Sequence, residues 1–289
     1  MRSLFSPAGL LCLQNLTRFP SVLIFDLDGT LAPLVAHYSN ARVPTRTANY
    51  LVSLSRSWPI AVVTGRSVKD AQGRLGFTPD YLFGNHGAQR AGLPDEAKWA
   101  SSTPSSAANL TPSSTPSSMP SSTPSSTPSG GLDTIRQYLH QHAAAMTHRK
   151  VHLEDKGLSL ALHYRQSDNP ALTRAWLHSL IDPVRSEVLV TDGHSVLNIL
   201  QPNAPGKGDA LKTIMLHCRA ESALVVGDDD NDEPAFAMAP ELAVTVRIAP
   251  AQTNSRAKFR LGSQHQVDLL LEFLLKQKNF INQHPAKVL

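Results

Sequence analysis

Two aspartates, Asp26 and Asp28, follow directly on the apolar run 22–25 and are separated by a single residue. A short apolar run that ends near a glycine, here Gly29, predicts a buried parallel strand. The carboxyl ends of such strands are where open α/β sheets bind their ligands. Since alternate side chains of an extended chain share a face, both carboxylates can point into one site, where their repulsion predicts a bound cation. A hard divalent ion such as Mg²⁺ suits oxygen ligands of this kind.

Three further segments place reactive side chains at the end of an apolar run or at the start of a helix. One apolar run ends in Thr64 and Arg66, where a hydroxyl and the N–H groups of a following helix suit a phosphate oxygen. Lys207 opens a predicted helix, an unfavourable place for a cation unless it reaches an anionic centre. The acidic run 228–233 is dense enough to predict a bound cation. Taken singly, these segments also fit an ordinary turn, a surface lysine and a solvated acidic loop.

Together the four segments resemble the four motifs of the haloacid-dehalogenase-like (HAD) phosphatases, in the same order. They read Asp-x-Asp-Gly-Thr-Leu-x-Pro at 26–33, Thr-Gly-Arg at 64–66, Lys-Gly-x-Ala-Leu at 207–211 and Gly-Asp-Asp-x-x-Asp-Glu at 227–233. The details are similar to the trehalose-6-phosphate phosphatase branch, and the resemblance covers roughly residues 20–285, less the Thr/Pro/Ser tract. It implies an α/β fold: a HAD-like Rossmannoid parallel-sheet core with an inserted α+β cap domain.

The resemblance also implies a mechanism and a set of site residues. The activity would be Mg²⁺-dependent hydrolysis of trehalose 6-phosphate through an aspartyl-phosphate, with Asp26 as nucleophile and Asp28 as general acid and base. Thr64 and Lys207 would stabilise the phosphoryl oxygens. The implied magnesium ligands are the Asp26 carboxylate, the Asp28 carbonyl and Asp228, with Asp232 in support. The implied substrate-binding residues are Arg66, Asn85, His86, Glu154, Lys156, His163 and Arg165.

The identity of the sugar stays open at this point. The family usually carries a glutamate in the last strand of the cap, and the nearest counterpart here is Asn198. Phosphatases of other sugar phosphates, such as glucosyl- or mannosyl-phosphoglycerate or sucrose phosphate, are therefore alternatives. So are a phosphotransferase or mutase on the same scaffold and a non-catalytic sugar-phosphate sensor. The sensor would require a lost nucleophile or metal ligand, and all of them are present.

Hydrophobic periodicity and turn residues predict the remaining elements and the domain layout. We expect helices at 46–55, 68–75, 132–146, 170–180, 209–218 and 267–276. Beside the motif strands, we expect strands near 81–84, 151–154, 158–164, 187–190, 196–200 and 243–248. The predicted layout is a loosely ordered lead-in (1–20), a hydrolase core (21–100 and 203–289), a disordered Thr/Pro/Ser linker (101–130) and an α+β cap (131–202).

The composition of the chain limits the classes of partner that are expected. A net charge of +4 over 289 residues, without a basic run, argues against a nucleic-acid partner and fits an anionic small molecule. Two cysteines, Cys12 and Cys218, without metal spacing argue against a disulfide scaffold and favour a reducing compartment. No apolar run approaches the length of a membrane span, and the short run 10–13 is followed by no small-residue cleavage site. We therefore expect a cytoplasmic enzyme that acts on a small sugar phosphate and has no membrane partner.

Overall fold

The computed structural model describes residues 1–35, 37–92 and 130–283. Within these ranges the strands form one sheet of eight and one of four. The strands are β1 (Arg2–Ser3), β2 (Ser21–Phe25), β3 (Ile60–Val63), β4 (Tyr81–Gly84), β5 (Gln89–Arg90), β6 (His152–Asp155), β7 (Ser159–His163), β8 (Leu189–Gly193), β9 (Val196–Leu200), β10 (Ser222–Gly227), β11 (Val244–Ile248) and β12 (Phe259–Leu261). The α-helices are α1 (Pro7–Asn15), α2 (Thr45–Leu54), α3 (Val68–Leu75), α4 (Gly130–Gln141), α5 (Ala143–His148), α6 (Pro170–Ile181), α7 (Lys207–His217), α8 (Glu233–Met238) and α9 (Gln266–Gln283).

The larger sheet has the strand order β1-β12-β11-β10-β2-β3-β4-β5, and its neighbours are parallel except for β4 and β5. Alternate residues of β2 join different apolar clusters: Leu23 and Phe25 pack with α2 and α9, whereas Val22 and Ile24 pack with α7 and α8. Strands that are buried on both faces require this continuous apolar sequence. The result is a three-layer α/β core, and the predicted fold class is confirmed.

The smaller sheet, of order β6-β7-β9-β8, is antiparallel throughout and lies in the chain between β5 and β10. It has an apolar cluster of its own, in which Ile135 and Leu139 of α4 and Leu177 of α6 pack against Leu160 and Leu197 of the sheet. The alternating hairpin pattern around Gly157 is confirmed as the β6–β7 hairpin. An α+β unit is thus inserted into the parallel-sheet fold.

The expectation of loose order at residues 1–20 is wrong. Strand β1 pairs with β12 at the edge of the larger sheet, and Ser6 caps α1 by accepting a hydrogen bond from the Gly9 N–H. Leu4, Leu13 and Leu16 are at most 1% exposed. Burial of these side chains in the core offsets the entropy lost on ordering the segment.

Two helix boundaries also differ from the prediction. The single helix expected at 132–146 is two helices, α4 and α5, separated at His142, whose ring Nδ1 hydrogen-bonds the Tyr138 carbonyl. Helix α7 begins at Lys207 itself rather than at 209. The Thr/Pro/Ser tract lies, apart from Gly130, outside the described residues, so its predicted disorder stays a prediction. Among the described residues, no helix combines the length and apolar character needed to cross a bilayer.

Candidate active site

Three acidic side chains meet at the carboxyl ends of the adjacent strands β2 and β10. Phe25 and Val226 are register partners in these strands, so Asp26 and Asp228 leave the sheet side by side. Asp232 returns to the same point from the short 3₁₀ helix Asp230–Asp232. One oxygen of each carboxylate lies within 4.8 Å of the others, and all three residues are buried. The convergence of these sequence-distant acids is as the sequence predicted.

Lys207 supplies the cation of this cluster. Its Nζ donates to Asp26 Oδ1 at 2.8 Å and to Asp232 Oδ1 at 2.6 Å, and the residue is 4% exposed. Burial alone would lower the pKa of Lys207, but the two carboxylates raise it above its ordinary value. The ammonium is therefore held charged at the start of α7, which explains a lysine at an otherwise unfavourable helix position.

One ammonium does not balance three buried carboxylates. Burial raises the pKa of Asp26 to about 7, Lys207 opposes this shift and Asp232 adds to it. Burial, Asp26 and Asp232 also raise the pKa of Asp228 well above its ordinary value. Excess negative charge on closely spaced oxygens is the donor set that a hard divalent cation such as Mg²⁺ prefers.

Hydrogen bonds divide the cluster into two kinds of carboxylate. Asp232 accepts from Lys207 on one oxygen and from the backbone N–H groups of Asp228 and Asp229 on the other, each at 3.0 Å. Within the described part of the chain, Asp228 accepts a single side-chain hydrogen bond, at 3.4 Å from the Thr30 hydroxyl. The Asp26 and Asp228 carboxylates are therefore suited to bind a metal directly. Asp232 is suited to position Lys207 and the backbone of Asp228 around it.

Two small residues shape the floor of the site. Gly29, at φ +80°, lies so close to Asp228 that a Cβ at this position would be 2.0 Å from Asp228 Oδ2. This close approach requires glycine in the first motif. Thr64, at the end of β3 beside β2, is 1% exposed, and its hydroxyl accepts the Arg66 N–H at 3.2 Å. The Thr64 hydroxyl proton is thus available to an oxygen in the cavity.

Asp28 is bound by Arg66 in a bidentate ion pair. Arg66 Nε and Nη2 donate to the two Asp28 oxygens at 2.6 and 2.7 Å, and Nη1 donates to Asp70 at 2.7 Å. Arg74 binds the same Asp70 carboxylate. Substrate binding by Arg66 stays a prediction; in the structure its donors hold Asp28, Asp70 and the Tyr38 carbonyl, so it orients the Asp28 carboxylate.

A cavity of about 400 Å³ lies between these groups and the smaller sheet. Nearly every residue that the sequence singled out lines it: Asp26, Asp28, Thr64, Arg66, His86, Lys207 and Asp228 from the larger sheet, and Glu154, Lys156, His163, Arg165 and Asn198 from the smaller one. Carboxylates of the core and polar side chains of the smaller sheet thus face the same cavity. Asp232 and Asn85 do not belong to the lining.

Asn85 lies behind the cavity wall rather than at the expected substrate position. Its side chain is fully buried, donates to Gln89 Oε1 at 3.0 Å and accepts from the Ser159 hydroxyl at 2.9 Å. Since Ser159 belongs to β7, this bond fastens the smaller sheet to the larger one. His86 follows in the same left-handed turn, with φ values of 49° and 59° at the two positions.

His86 does face the cavity, and its ring packs on Gly65, where a Cβ would meet the imidazole at 2.6 Å. Burial and then the charges of Lys156 and Lys207 lower the pKa of His86 to about 3, with Asn198 acting in the opposite direction. Among the described residues, neither ring nitrogen makes a hydrogen bond within the usual geometric limits. The lowered pKa favours the neutral imidazole, which has one donor and one acceptor nitrogen.

The predicted groups of the smaller sheet form a connected set. Glu154 Oε2 lies 2.8 Å from His163 Nε2 and 3.7 Å from Lys156 Nζ. Burial would raise the pKa of Glu154, but His163 and Lys156 lower it below its ordinary value, so the carboxylate stays charged. Lys156 also donates to the Gly65 carbonyl at 3.0 Å, and Arg165 donates to the Val35 carbonyl at 2.5 Å. These two contacts hold the smaller sheet against the edge of the core that carries Gly65 and Val35.

Sequence reasoning missed Tyr38, His152 and His194, which also line the cavity. Tyr38 lies in an irregular segment with no periodicity, and its ring contacts His163, which is far along the chain. His194 lies in the turn between β8 and β9, and its Nδ1 is 3.9 Å from Asp228 Oδ2. The Asp-Gly pair at 192–193, a common turn signal, was the available indication of this hairpin.

Comparison with known proteins agrees with this geometry. The family model described as trehalose-phosphatase matches residues 24–265. The chain belongs to the trehalose-phosphatase family. This match spans all four motifs and the inserted smaller sheet, so the family assignment covers both walls of the cavity.

Individual relatives of the trehalose-phosphatase family are distant. The chain is 29% identical to a bifunctional trehalose-6-phosphate synthase/phosphatase of Thermoproteus tenax, covering 88% of this chain and 32% of that protein. It is 25% identical to trehalose-phosphate phosphatase B of Arabidopsis thaliana (89% and 67% covered) and 24% identical to trehalose-6-phosphate phosphatase of Escherichia coli K12 (90% and 89% covered). The C-terminal domain of Candida albicans trehalose-6-phosphate phosphatase superposes with a TM-score of 0.73 at 19% identity, covering 95% of this chain and 98% of that one. This last likeness supports the fold.

Proposed function

We propose that the protein is a Mg²⁺-dependent phosphatase that hydrolyses trehalose 6-phosphate to trehalose and phosphate. The observation that carries this proposal is the convergence of Asp26, Asp228 and Asp232 with Lys207 beneath the polar wall of the smaller sheet. The family and the names of its relatives supply the substrate. The cytoplasmic location expected from the sequence stays a prediction.

In the first half-reaction an Asp26 oxygen attacks phosphorus, and the bond between phosphorus and the sugar oxygen breaks. The electron pair goes to the sugar oxygen, which takes a proton from Asp28, while Asp26 becomes an aspartyl-phosphate. Lys207 and Thr64 bind the phosphoryl oxygens, on which charge is spread in the transition state. The bidentate contact with Arg66 orients the Asp28 carboxylate before substrate binds, and one of its two hydrogen bonds opens when an Asp28 oxygen carries the proton.

In the second half-reaction water attacks the phosphorus of the aspartyl-phosphate. Asp28 now accepts a proton from that water, the acyl-phosphate bond breaks and the Asp26 carboxylate is regenerated with release of phosphate. Asp26 and Asp228, together with the Asp28 carbonyl, would hold Mg²⁺, and Asp232 supports Asp228 and Lys207. When bound, the metal neutralises repulsion between the anionic nucleophile and the anionic phosphate.

We further propose that the unit at 131–202 acts as a cap on a core formed by 21–100 and 203–289. Its support is the placement of Glu154, Lys156 and His163 on the opposite side of the cavity from Asp26. Donors and acceptors on this wall suit sugar hydroxyls. Substrate binding by Arg66, Asn85, His86 and Arg165 is the remaining sequence prediction, and the contacts of Arg66 and Asn85 favour positioning roles for those two.

The test is phosphate release from trehalose 6-phosphate, with and without Mg²⁺, using the full chain after chelator treatment and dialysis. We expect turnover with added Mg²⁺ and a loss of at least a hundredfold without it. A panel containing sucrose 6-phosphate, glucose 6-phosphate and glucosyl-phosphoglycerate decides the sugar. A larger kcat/KM for any of these than for trehalose 6-phosphate would replace the proposed substrate, and absence of turnover on all of them would remove the proposed activity.

A further inference from the structure

Tyr38 connects the two walls of the cavity. It lies in the short 3₁₀ segment Tyr38–Asn40, between the first motif and α2. Its carbonyl accepts a 2.7 Å hydrogen bond from Arg66 Nη2, and Arg66 also binds Asp28. The neighbouring carbonyls of Ser39 and Ala41 accept from Arg74 at 2.6 and 3.1 Å. The core therefore fixes the backbone of Tyr38 through two buried guanidinium groups.

The Tyr38 side chain extends away from these contacts to the smaller sheet. Its ring lies parallel to the His163 imidazole, with an interplanar angle of 2° and 4.4 Å between the ring centroids. The hydroxyl is 3.4 Å from His152 Nε2 on the neighbouring strand. His163 is in turn held by Glu154 at 2.8 Å. The stacked pair is thus a contact between the core and the side chains proposed to bind the sugar.

The stacked rings also face the space that a leaving group must occupy. Tyr38, His163 and Glu154 line the same cavity as Asp28, which donates the proton to the leaving oxygen in the proposed mechanism. A leaving group as large as a sugar extends from Asp28 towards this wall. A small phosphate ester fills the phosphoryl end of the cavity and does not need the wall.

We propose that Tyr38 is a specificity-determining residue, whose ring stacks on His163 and fixes the sugar-binding wall over Asp28, so that sugar phosphates are favoured over small phosphate esters. This inference rests on the proposed phosphatase function. Under this proposal the backbone carbonyl and the side-chain ring of Tyr38 have different roles. The carbonyl belongs to the Arg66–Asp28 arrangement, and the ring belongs to substrate selection.

The division between carbonyl and ring makes the proposal testable. Tyr38→Ala removes the ring and keeps the carbonyl that Arg66 and Arg74 bind, so the groups around phosphorus are retained. We expect kcat/KM for trehalose 6-phosphate to fall by roughly three- to tenfold, the range expected of one stacked aromatic pair. For p-nitrophenyl phosphate we expect a change of less than about twofold. Tyr38→Phe keeps the stacking surface and should stay within about twofold of the wild type on both substrates.

Two further variants exclude a merely structural effect. Tyr50→Ala is a matched tyrosine replacement on α2, outside the cavity, and should leave both activities unchanged. His163→Ala removes the stacking partner, so adding Tyr38→Ala to it should lower kcat/KM for the sugar phosphate by little more than His163→Ala alone. Thermal unfolding of each variant verifies that the fold is retained.

Equal losses on both substrates in Tyr38→Ala, a loss in Tyr38→Phe as large as in Tyr38→Ala, or additive losses in the double variant would each overturn the proposal. If the wild type prefers another sugar phosphate of the panel, the same comparison is made with that substrate. The substrate assignment then fails while the role of Tyr38 is still decided. A wild type that hydrolyses p-nitrophenyl phosphate but no sugar phosphate overturns both.

Discussion

Two buried lysines face the cavity from opposite walls, and their surroundings differ. Lys207, on the core wall, contacts two carboxylates at 2.6 and 2.8 Å, and its pKa is raised. Lys156, in the β6–β7 hairpin, lies 3.7 Å from the Glu154 carboxylate and 3.0 Å from the Gly65 carbonyl. Burial lowers the pKa of Lys156, and Glu154 only partly offsets this effect.

This difference separates catalysis from recognition. The core wall holds its charged groups in tight mutual contact before any substrate arrives, as electrostatic catalysis requires. On the smaller sheet, Glu154 only partly offsets the burial of the Lys156 ammonium. A ligand that supplies oxygen atoms to Lys156 therefore gains more binding free energy there. Substitutions on the core wall should therefore reduce turnover of every phosphate ester. Substitutions on the other wall should depend on the leaving group.

The largest expected effect is that of Asp26→Asn. An amide cannot form the aspartyl-phosphate, so kcat should fall by about 10⁴-fold or more on trehalose 6-phosphate and on p-nitrophenyl phosphate alike. Removing one of three mutually repelling buried carboxylates should leave the thermal unfolding midpoint unchanged or raise it. Steady-state phosphate release and calorimetry measure the two quantities. Appreciable turnover by this variant would contradict the nucleophile assignment.

The two lysines give a matched pair of substitutions. Lys207→Met leaves Asp26 and Asp232 buried without their cation, so it should lower the free energy of unfolding by about 3–5 kcal/mol and abolish both activities. Lys156→Met removes a charge that burial already disfavours, so its effect on stability should be less than about 1 kcal/mol. Urea denaturation of both variants provides the comparison. Equal losses of unfolding free energy in the two variants would show that the surroundings of Lys207 and Lys156 do not differ in charge compensation.

Glu154→Gln tests the side chains of the smaller sheet that are proposed to bind the sugar. It keeps the shape of the side chain and removes the charge that pairs with His163 and Lys156. We expect KM for the sugar phosphate to rise about tenfold with kcat nearly unchanged, and no comparable change for p-nitrophenyl phosphate. An equal decrease of kcat on both substrates would place Glu154 with the core wall instead.

The smallest effect concerns Asp70, behind the core wall. Burial alone would raise the pKa of Asp70, but hydrogen bonds from Arg74 and Arg66 lower it below 3.8. The stabilisation from this carboxylate is therefore fully present above pH 3.8 and is lost as the pH falls through the lower folded-state value. Asp70→Asn should lower the unfolding midpoint by a few degrees at pH 7. The difference from the wild type should shrink below about pH 4, as followed by circular dichroism; a difference independent of pH would contradict this origin.

The sequence predicted the α/β fold, because its apolar runs end in polar residues as buried parallel strands do. The approach of Asp26 to Asp228 was implied by the resemblance to the HAD motifs. Sequence reasoning failed at residues 1–20, where a short strand and a short helix become stable only by packing Leu4, Leu13 and Leu16 into the core. It also predicted substrate binding by Arg66 and Asn85, which stays a prediction. Their hydrogen bonds to Asp28 and Ser159 depend on strands brought together by folding.

By itself, the sequence determined which strand ends carry carboxylates, which helix begins with a lysine and where an α+β unit interrupts the core. These features are local, and they are set by periodicity, turn residues and spacing within a few positions. Only the tertiary structure decided that Arg66 binds Asp28 on both oxygens, that Lys156 lies 3.7 Å from the Glu154 carboxylate and that Tyr38 stacks on His163. The last of these joins residues more than a hundred positions apart, and such contacts depend on how the two sheets pack, which no local pattern specifies.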